Sequence, residues 1–171
     1  MERMKILNEA KKQFASKGDK FTLDVIVKKQ KISKKTIYRF FESKDELINE
    51  IVRDIFKEVF EACRQVEEDE SLLGLDKIRE MLCIIAETYT EFSVANLSKI
   101  EYAKDLTDSF WKMIDNIVLE ETQKGEIRKV KTEYLRFILE ASIIRIDECK
   151  NISDKREFAD EIVCIIVDGM R

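Results

Sequence analysis

A chain of 171 residues, 44% hydrophobic and 39% charged, is too apolar to stay disordered and long enough to bury one core beside a small module. It has no proline and only four glycines, which argues against a β fold stitched by tight turns and leaves helices joined by short polar loops. The net charge of −4 hides an asymmetry: residues 1–53 carry 14 Lys/Arg against 8 Asp/Glu, and the other 118 carry 17 against 27. The expected arrangement is a basic head that meets a polyanion and an acidic body that does not.

The elements follow in chain order. Ile6, Leu7, Ala10 and Phe14 recur at helical spacing and predict a first helix from Glu2 to Lys17, closed by Gly18. Thr22 is placed to cap a short second helix with Leu23, Ile26 and Val27 inward. Lys31 and Ile32 form a tight connection. Ser33 caps a very short third helix in which Ile37, Phe40 and Phe41 share a face. Ser43-Lys44-Asp45-Glu46 is a capping box and opens a long helix with Leu47, Ile48, Ile51, Ile55, Val59 and Ala62 inward. The acidic run Glu67–Glu70 lies at the wrong end for the helix dipole and reads as a solvated loop. Helices are then expected over 72–92, 106–124, 133–149 and 154–170, with a less regular stretch from Ser93 to Asp105 and a stop at Gly125.

An enzyme is disfavoured. The chain has no histidine, and so lacks the commonest general base and zinc ligand. It has no phosphate-binding glycine loop and no spaced metal cluster, and no cofactor or metal is expected. Cys63, Cys83, Cys149 and Cys164 form no C-x-x-C pair and read as small hydrophobes in a reduced cytoplasm. The N-terminus is charged throughout and is no signal peptide, and the longest apolar run, Ile162 to Val167, is too short to span a bilayer. A cytoplasmic protein is expected.

Two short helices joined by a tight turn form a helix-turn-helix, whose second helix enters the major groove. Here Ile37, Phe40 and Phe41 face inward and leave Lys34, Lys35, Thr36, Tyr38 and Arg39 outside, the residue types that bond phosphates and base edges. A merely solvated basic helix would explain Lys34 or Lys35, but poorly an exposed Tyr38 beside three cations. The helix starts at Thr22, Ser33 and Ser43 add free N–H groups that suit anions.

The segment from Ile6 to Val52 resembles the N-terminal domain of the TetR family of bacterial transcriptional regulators. Ala10, Phe14, Gly18, Thr22, Ile26, Ser33, Thr36, Tyr38, Phe41, Lys44 and Leu47 carry the resemblance. It implies phosphate contacts at Thr22, Ser33, Tyr38 and Lys44, and base-reading candidates at Lys34, Lys35, Thr36 and Arg39. Two positions depart from the pattern. Lys31 stands where the family usually has glycine, so either Lys31 takes an unusual backbone conformation or the turn differs. Lys35 stands where a small residue is usual and adds a cation close to DNA.

In the body, the run YLRFILEASIIRI from Tyr134 to Ile146 is apolar on most sides and must be covered on most sides. Pairing the last two helices with those of a second chain would do so, and the resemblance implies such a homodimer. Leu135, Ile138, Ser142, Ile146, Ile162 and Ile166 are the expected interface. Full burial of both helices within one chain is the alternative. Tyr89, Phe92, Tyr102, Phe110 and Trp111, joined by Cys63, Met81 and Ile85, form a cluster that is either plain core or the lining of a pocket for a small apolar effector, as the resemblance implies.

The expected protein is thus all-α: a helix-turn-helix DNA-binding domain at 1–46 on a larger helical bundle at 47–171 for effector binding and dimerisation. Its expected role is repression at a near-palindromic operator on double-stranded DNA, tuned by the effector. The alternative is a helix-turn-helix protein without an effector. The long helix from Lys44 is expected to be the only element touching both regions, and so the lever between them.

Overall fold

The computed structural model describes residues 2–92, 97, 101–146 and 154–171, with the side chains of 101, 102 and 146 left out. The described residues form helices and no strand: α1 (Glu2–Lys17), α2 (Leu23–Gln30), α3 (Lys34–Tyr38), α4 (Lys44–Glu68), α5 (Gly74–Phe92), α6 (Glu101–Lys124), α7 (Thr132–Ile146) and α8 (Lys155–Asp168). A single 3-10 turn at Gly18–Lys20 joins α1 to α2. Ile146 and Tyr102 as side chains, and Cys149 and the expected helix end around it, lie outside the described residues.

The head is built by caps and a small apolar centre. Ile6, Leu7, Ala10 and Phe14 of α1 are at most 3% exposed, and Ile26, Ile37 and Phe41 at most 1%. Gly18 closes α1 in the left-handed region, at φ 58°. Ser33 Oγ accepts from the Thr36 N–H at 3.0 Å, and Ser43 Oγ from the Glu46 N–H at 3.0 Å. Glu46 reaches back to the Glu42 N–H, one residue before the position a capping box usually uses. Thr22 caps α2 by backbone geometry alone, and its hydroxyl makes no cap bond.

The turn between α2 and α3 resolves the alternatives left open at Lys31. The residue sits in the left-handed region at φ 53°, ψ 43°, with its N–H donating to the Val27 carbonyl. The Ile32 N–H donates to the same oxygen at 3.2 Å. The turn keeps the geometry that favours glycine, and a side chain is forced into it.

Head and body share one continuous core. α4 buries Leu47, Ile48, Ile51, Val52, Ile55, Phe56, Val59 and Cys63 along its length. It continues to Glu68, past the start of the acidic run expected to be a loop. Val66 packs on the core there, and Lys77 Nζ donates to the Glu67 carbonyl at 2.6 Å, which offsets the poor dipole placement. Ion pairs tie α1 to α4: Arg3 to Glu50 at 2.6 Å and Lys11 to Asp54 at 3.2 Å. In the body, α5 packs most extensively on α8 and then on α4.

Several boundaries differ from expectation: α5 starts at Gly74 and not at Leu72, and α8 ends at Asp168. α6 begins at Glu101, five residues before the expected start at Leu106, because Ala103, Thr107, Phe110 and Ile114 continue one buried face. Asp154 lies just outside α8 as its N-cap, accepting from the Arg156 and Glu157 N–H groups.

A left-handed backbone costs an L-residue about 1–2 kcal/mol, part of which a glycine gives back as extra unfolded-state entropy. Lys31→Gly is therefore expected to raise unfolding stability by up to about 1 kcal/mol in chemical denaturation, and Lys31→Ala to leave it unchanged. A destabilised Lys31→Gly would show the conformation to be unstrained.

Candidate nucleic-acid interface and the cleft in the body

α3 is only five residues long, too short to be helical alone. Its geometry is imposed by the Ser33 cap at one end and by burial of Ile37 and Phe41 on one side. The opposite side is open. Lys34, Lys35 and Arg39 are exposed, Tyr38 is 49% exposed, and Thr36 is half-buried with its hydroxyl 2.9 Å from Ser33 Oγ. Phe40, expected inward, is half-buried at the edge of the core, with the Arg39 guanidinium 4.8 Å above its ring.

The cations of this surface are not equivalent. Lys34 Nζ is 2.9 Å from Asp24 Oδ1 and 3.0 Å from Oδ2, and the hydrogen bond to this carboxylate holds the ammonium above its ordinary pKa. Arg39 pairs with Glu2 at 2.8 Å. Lys44 donates to the Asp19 carbonyl and stands 4.8 Å over the Phe21 ring, so it holds the 3-10 turn against the start of α4. Lys35 has no ion-pair partner among the described residues. Asp24 and Glu2 are invisible to a reading of the sequence, because nothing in helix spacing links an acid in α1 or α2 to a cation in or just beyond α3.

Most of the aromatic cluster of the body is buried. Cys63, Met81, Ile85, Phe92, Phe110 and Trp111 are at most 4% exposed and belong to the core. Phe110 and Trp111 meet edge to face, their centroids 5.9 Å apart. Burial pushes the Cys63 thiol up to about 12. Of the expected lining, Tyr89 borders a cleft of about 250 Å³. Its other walls are Leu97, Ala103, Lys104, Thr107, Arg136 and Glu140. At this cleft small side chains on α6 leave the space, and charged residues of α7 wall it.

A chain of hydrogen bonds orders that wall. Arg136 donates to Asp108 at 2.6 Å through Nη1 and to Glu140 at 3.0 Å through Nε, and Tyr89 Oη donates to Glu140 at 3.2 Å. Burial, and then the Glu140 charge, push the Tyr89 hydroxyl far above its ordinary pKa, so it remains a donor. Among the described residues no group of His, Cys, Asp or Glu is placed to hold a metal ion, and no helix is long and apolar enough to cross a membrane.

The outer faces of α7 and α8 carry the unpartnered apolar surface. Leu135 and Ile166, expected at a dimer interface, lie in the chain's own core at 5% and 6% exposure. Ser142 is half-buried, its hydroxyl donating to the Ile138 carbonyl at 2.7 Å. Ile138 is 47% exposed and Ile162 is half-buried. The exposed set is Tyr134, Phe137, Ile138 and Ile144 of α7 with Ile165 of α8. A helix apolar on nearly all sides gives no moment from which to choose its inner face, and the true inner face runs through Leu135, Leu139 and Ile143.

The lever is likewise broader than expected. α4 is not alone in touching head and body: Phe92, at the end of α5, stacks on Phe14 of α1 with centroids 6.5 Å apart. Tyr89 at the cleft lies one turn before Phe92.

Residues 6–51 match the family model described as bacterial regulatory proteins, tetR family. The chain is 25% identical over 178 residues to an uncharacterised HTH-type transcriptional regulator, YvaF, of Bacillus subtilis (strain 168), covering 97% of this chain and 94% of that one. Its fold is that of the ketosteroid transcriptional regulator KstR2 of Mycobacterium tuberculosis, with a TM-score of 0.75 at 17% identity over 99% of this chain and 95% of that one. It is also that of a tetR-family regulatory protein from Rhodococcus RHA1, with a TM-score of 0.76 at 16% identity over 99% and 97%. These proteins are regulators and not enzymes. The head, residues 6–51, is thus a TetR-type DNA-binding domain of bacterial regulatory proteins, and the helical body behind it shares its fold with regulators that carry such a head.

Proposed function

We propose that this regulator is a cytoplasmic homodimeric repressor, reading a near-palindromic operator with α3 and releasing or gaining DNA when a small molecule enters the cleft beside Tyr89. The observation that carries the DNA-reading surface is the split of α3 and its cap: Ile37 and Phe41 at 1% exposure on one side, Lys34, Lys35, Tyr38 and Arg39 exposed on the other. In this reading Thr22, Ser33, Tyr38 and Lys44 contact phosphates, and Lys34, Lys35, Thr36 and Arg39 face base edges. The division between a DNA-binding domain at 1–46 and an effector and dimerisation domain at 47–171 falls within α4.

Lys35 is the cleanest test, since it serves no ion pair among the described residues. Removing one phosphate-bound cation flattens the slope of log affinity against log salt by about 0.9. Lys35→Ala is expected to do this, or to shift the preferred sequence if it reaches a base, with an unchanged melting temperature. Tyr38→Ala is expected to weaken binding to every duplex. If both variants bind as the parent does, α3 is not the DNA surface.

The second copy is proposed to cover Tyr134, Phe137, Ile138, Ile144 and Ile165. An isologous four-helix pairing of α7 and α8 would bury them all, and contiguous apolar patches of this kind mark interaction sites. Because Phe137 is 72% exposed and Ile165 65% exposed, Arg at either position should leave the chain folded while burying an unpaired charge in the interface. Light scattering is expected to give a dimer for the parent and a species of 20.2 kDa, the mass of one chain, for Phe137→Arg. A monomeric parent would remove this part of the reading.

The effector proposed is a small molecule with an apolar part against Leu97 and Ala103 and a polar end at Arg136, Glu140 and Tyr89. Trp111 is the sole tryptophan and lies on α6, one turn beyond the cleft residue Thr107, so its emission reports occupancy. The coupling expected between effector and operator is about 5–150-fold, equal in both directions. Ala103→Phe is expected to abolish the response and keep DNA binding. The burial of Cys63, Met81, Phe110 and Trp111 is what supports the second reading, a regulator without an effector. A screen of amphipathic small molecules in which none shifts Trp111 emission or melting temperature would decide for it.

A further inference from the structure

Resting on the reading of α3 as the DNA surface, we infer that Asp24 sets the sequence discrimination of the head by acting as an internal competitor for Lys34. The pair is symmetric: Lys34 Nζ lies 2.9 Å from one carboxylate oxygen of Asp24 and 3.0 Å from the other. Asp24 sits in the first turn of α2, where the free N–H groups and the dipole of that helix favour a negative charge. The Thr22 hydroxyl just before it makes no cap bond, so the end of α2 that would receive a phosphate already carries an anion. Both partners are exposed, Lys34 at 52% and Asp24 at 70% of the side chain, so the pair is open to exchange with DNA rather than locked into the core.

The consequence differs for the two kinds of DNA. On a sequence without the operator, Lys34 can gain only by turning to a phosphate. It then either gives up Asp24 or holds that carboxylate close to a phosphate of the same charge, a repulsion that a neutral base acceptor does not cause. On the operator, Lys34 is offered a base acceptor in the groove. An ammonium has three N–H donors, and Asp24 occupies one side of it, so the base bond can form with the Asp24 pair intact. Asp24 thus penalises non-specific contact more than specific contact. Glu2 holds Arg39 in the same way at 2.8 Å, but Arg39 also lies over the Phe40 ring and is less free to turn. Lys35 has no such counter-ion among the described residues, which makes the discrimination at Lys34 a property of Asp24 and not of the helix as a whole.

The test uses the full chain, an operator selected from random DNA, and a duplex of the same composition in shuffled order. Affinity is measured by fluorescence anisotropy over a range of salt. Asp24→Asn keeps the shape and removes the charge. It is expected to tighten binding to the shuffled duplex by about two- to fivefold per head and to steepen its salt slope by about 0.9 per head. Operator affinity should change less, so the ratio of the two falls. In a Lys34→Met background the same substitution should leave the ratio unmoved. Equal tightening on both duplexes would reduce Asp24 to a general repulsive charge and overturn the inference, as would an undiminished effect without Lys34. Weaker binding to both with a lowered melting temperature would make Asp24 structural and overturn it too, with Asp24→Ser as the check on folding. A parent that binds no duplex at all would instead defeat the reading of the head on which the inference rests.

Discussion

The surface of α3 proposed to meet DNA depends on the burial of two side chains, Ile37 and Phe41, each 1% exposed. A five-residue helix has almost no stability of its own. It exists here because those two residues enter the core formed with Phe14, Ile26 and Leu47, and because Ser33 satisfies the Thr36 N–H at 3.0 Å. Truncating a buried Ile or Phe costs about 2–5 kcal/mol, more than such a helix can supply. The outward direction of Lys34, Lys35 and Tyr38 is fixed by what faces inward.

The same core runs on into the body without a gap. α4 carries a continuous buried face from Leu47 to Cys63, and Phe92 of α5 closes on Phe14 of α1. A displacement at the cleft therefore has two mechanical routes to the head: α4, which starts three residues after Phe41, and the last turn of α5 from Tyr89 to Phe92. Packed cores rearrange between discrete states and do not flex smoothly, so the two contacts are well placed to shift the head as a unit. A ligand moves that balance only by its differential affinity for the two arrangements.

The head is largely legible in the sequence because its signals are local: caps at Ser33 and Ser43, a stop at Gly18, and inward residues at helical spacing. Lys31 is legible as an anomaly, and its φ of 53° shows the turn holding its shape against the cost of a side chain. What stays hidden is non-local. The partners of Lys34 and Arg39 come from α2 and α1, and the residues around the cleft come from α5, α6 and α7. The exposed apolar face of α7 differs from the expected interface because Leu135, Phe137, Ile138 and Leu139 are equally apolar, so only packing against α6 and α8 selects Leu135 and Leu139 for the core. The aromatic cluster is legible as a cluster, but residue types that line pockets also fill cores, and here most of them fill one.

The central claim, that α3 reads DNA as one of a symmetric pair, is tested most directly by hydroxyl-radical footprinting of the full chain on a duplex selected from random sequence. Two heads related by a two-fold axis should protect two half-sites of inverted sequence, centred one helical turn, about 34–36 Å, or a multiple of it apart. Protection should be lost from both half-sites together when Tyr38 is replaced by alanine. A single asymmetric footprint, or a symmetric one that survives Tyr38→Ala and Lys35→Ala together, would contradict the account.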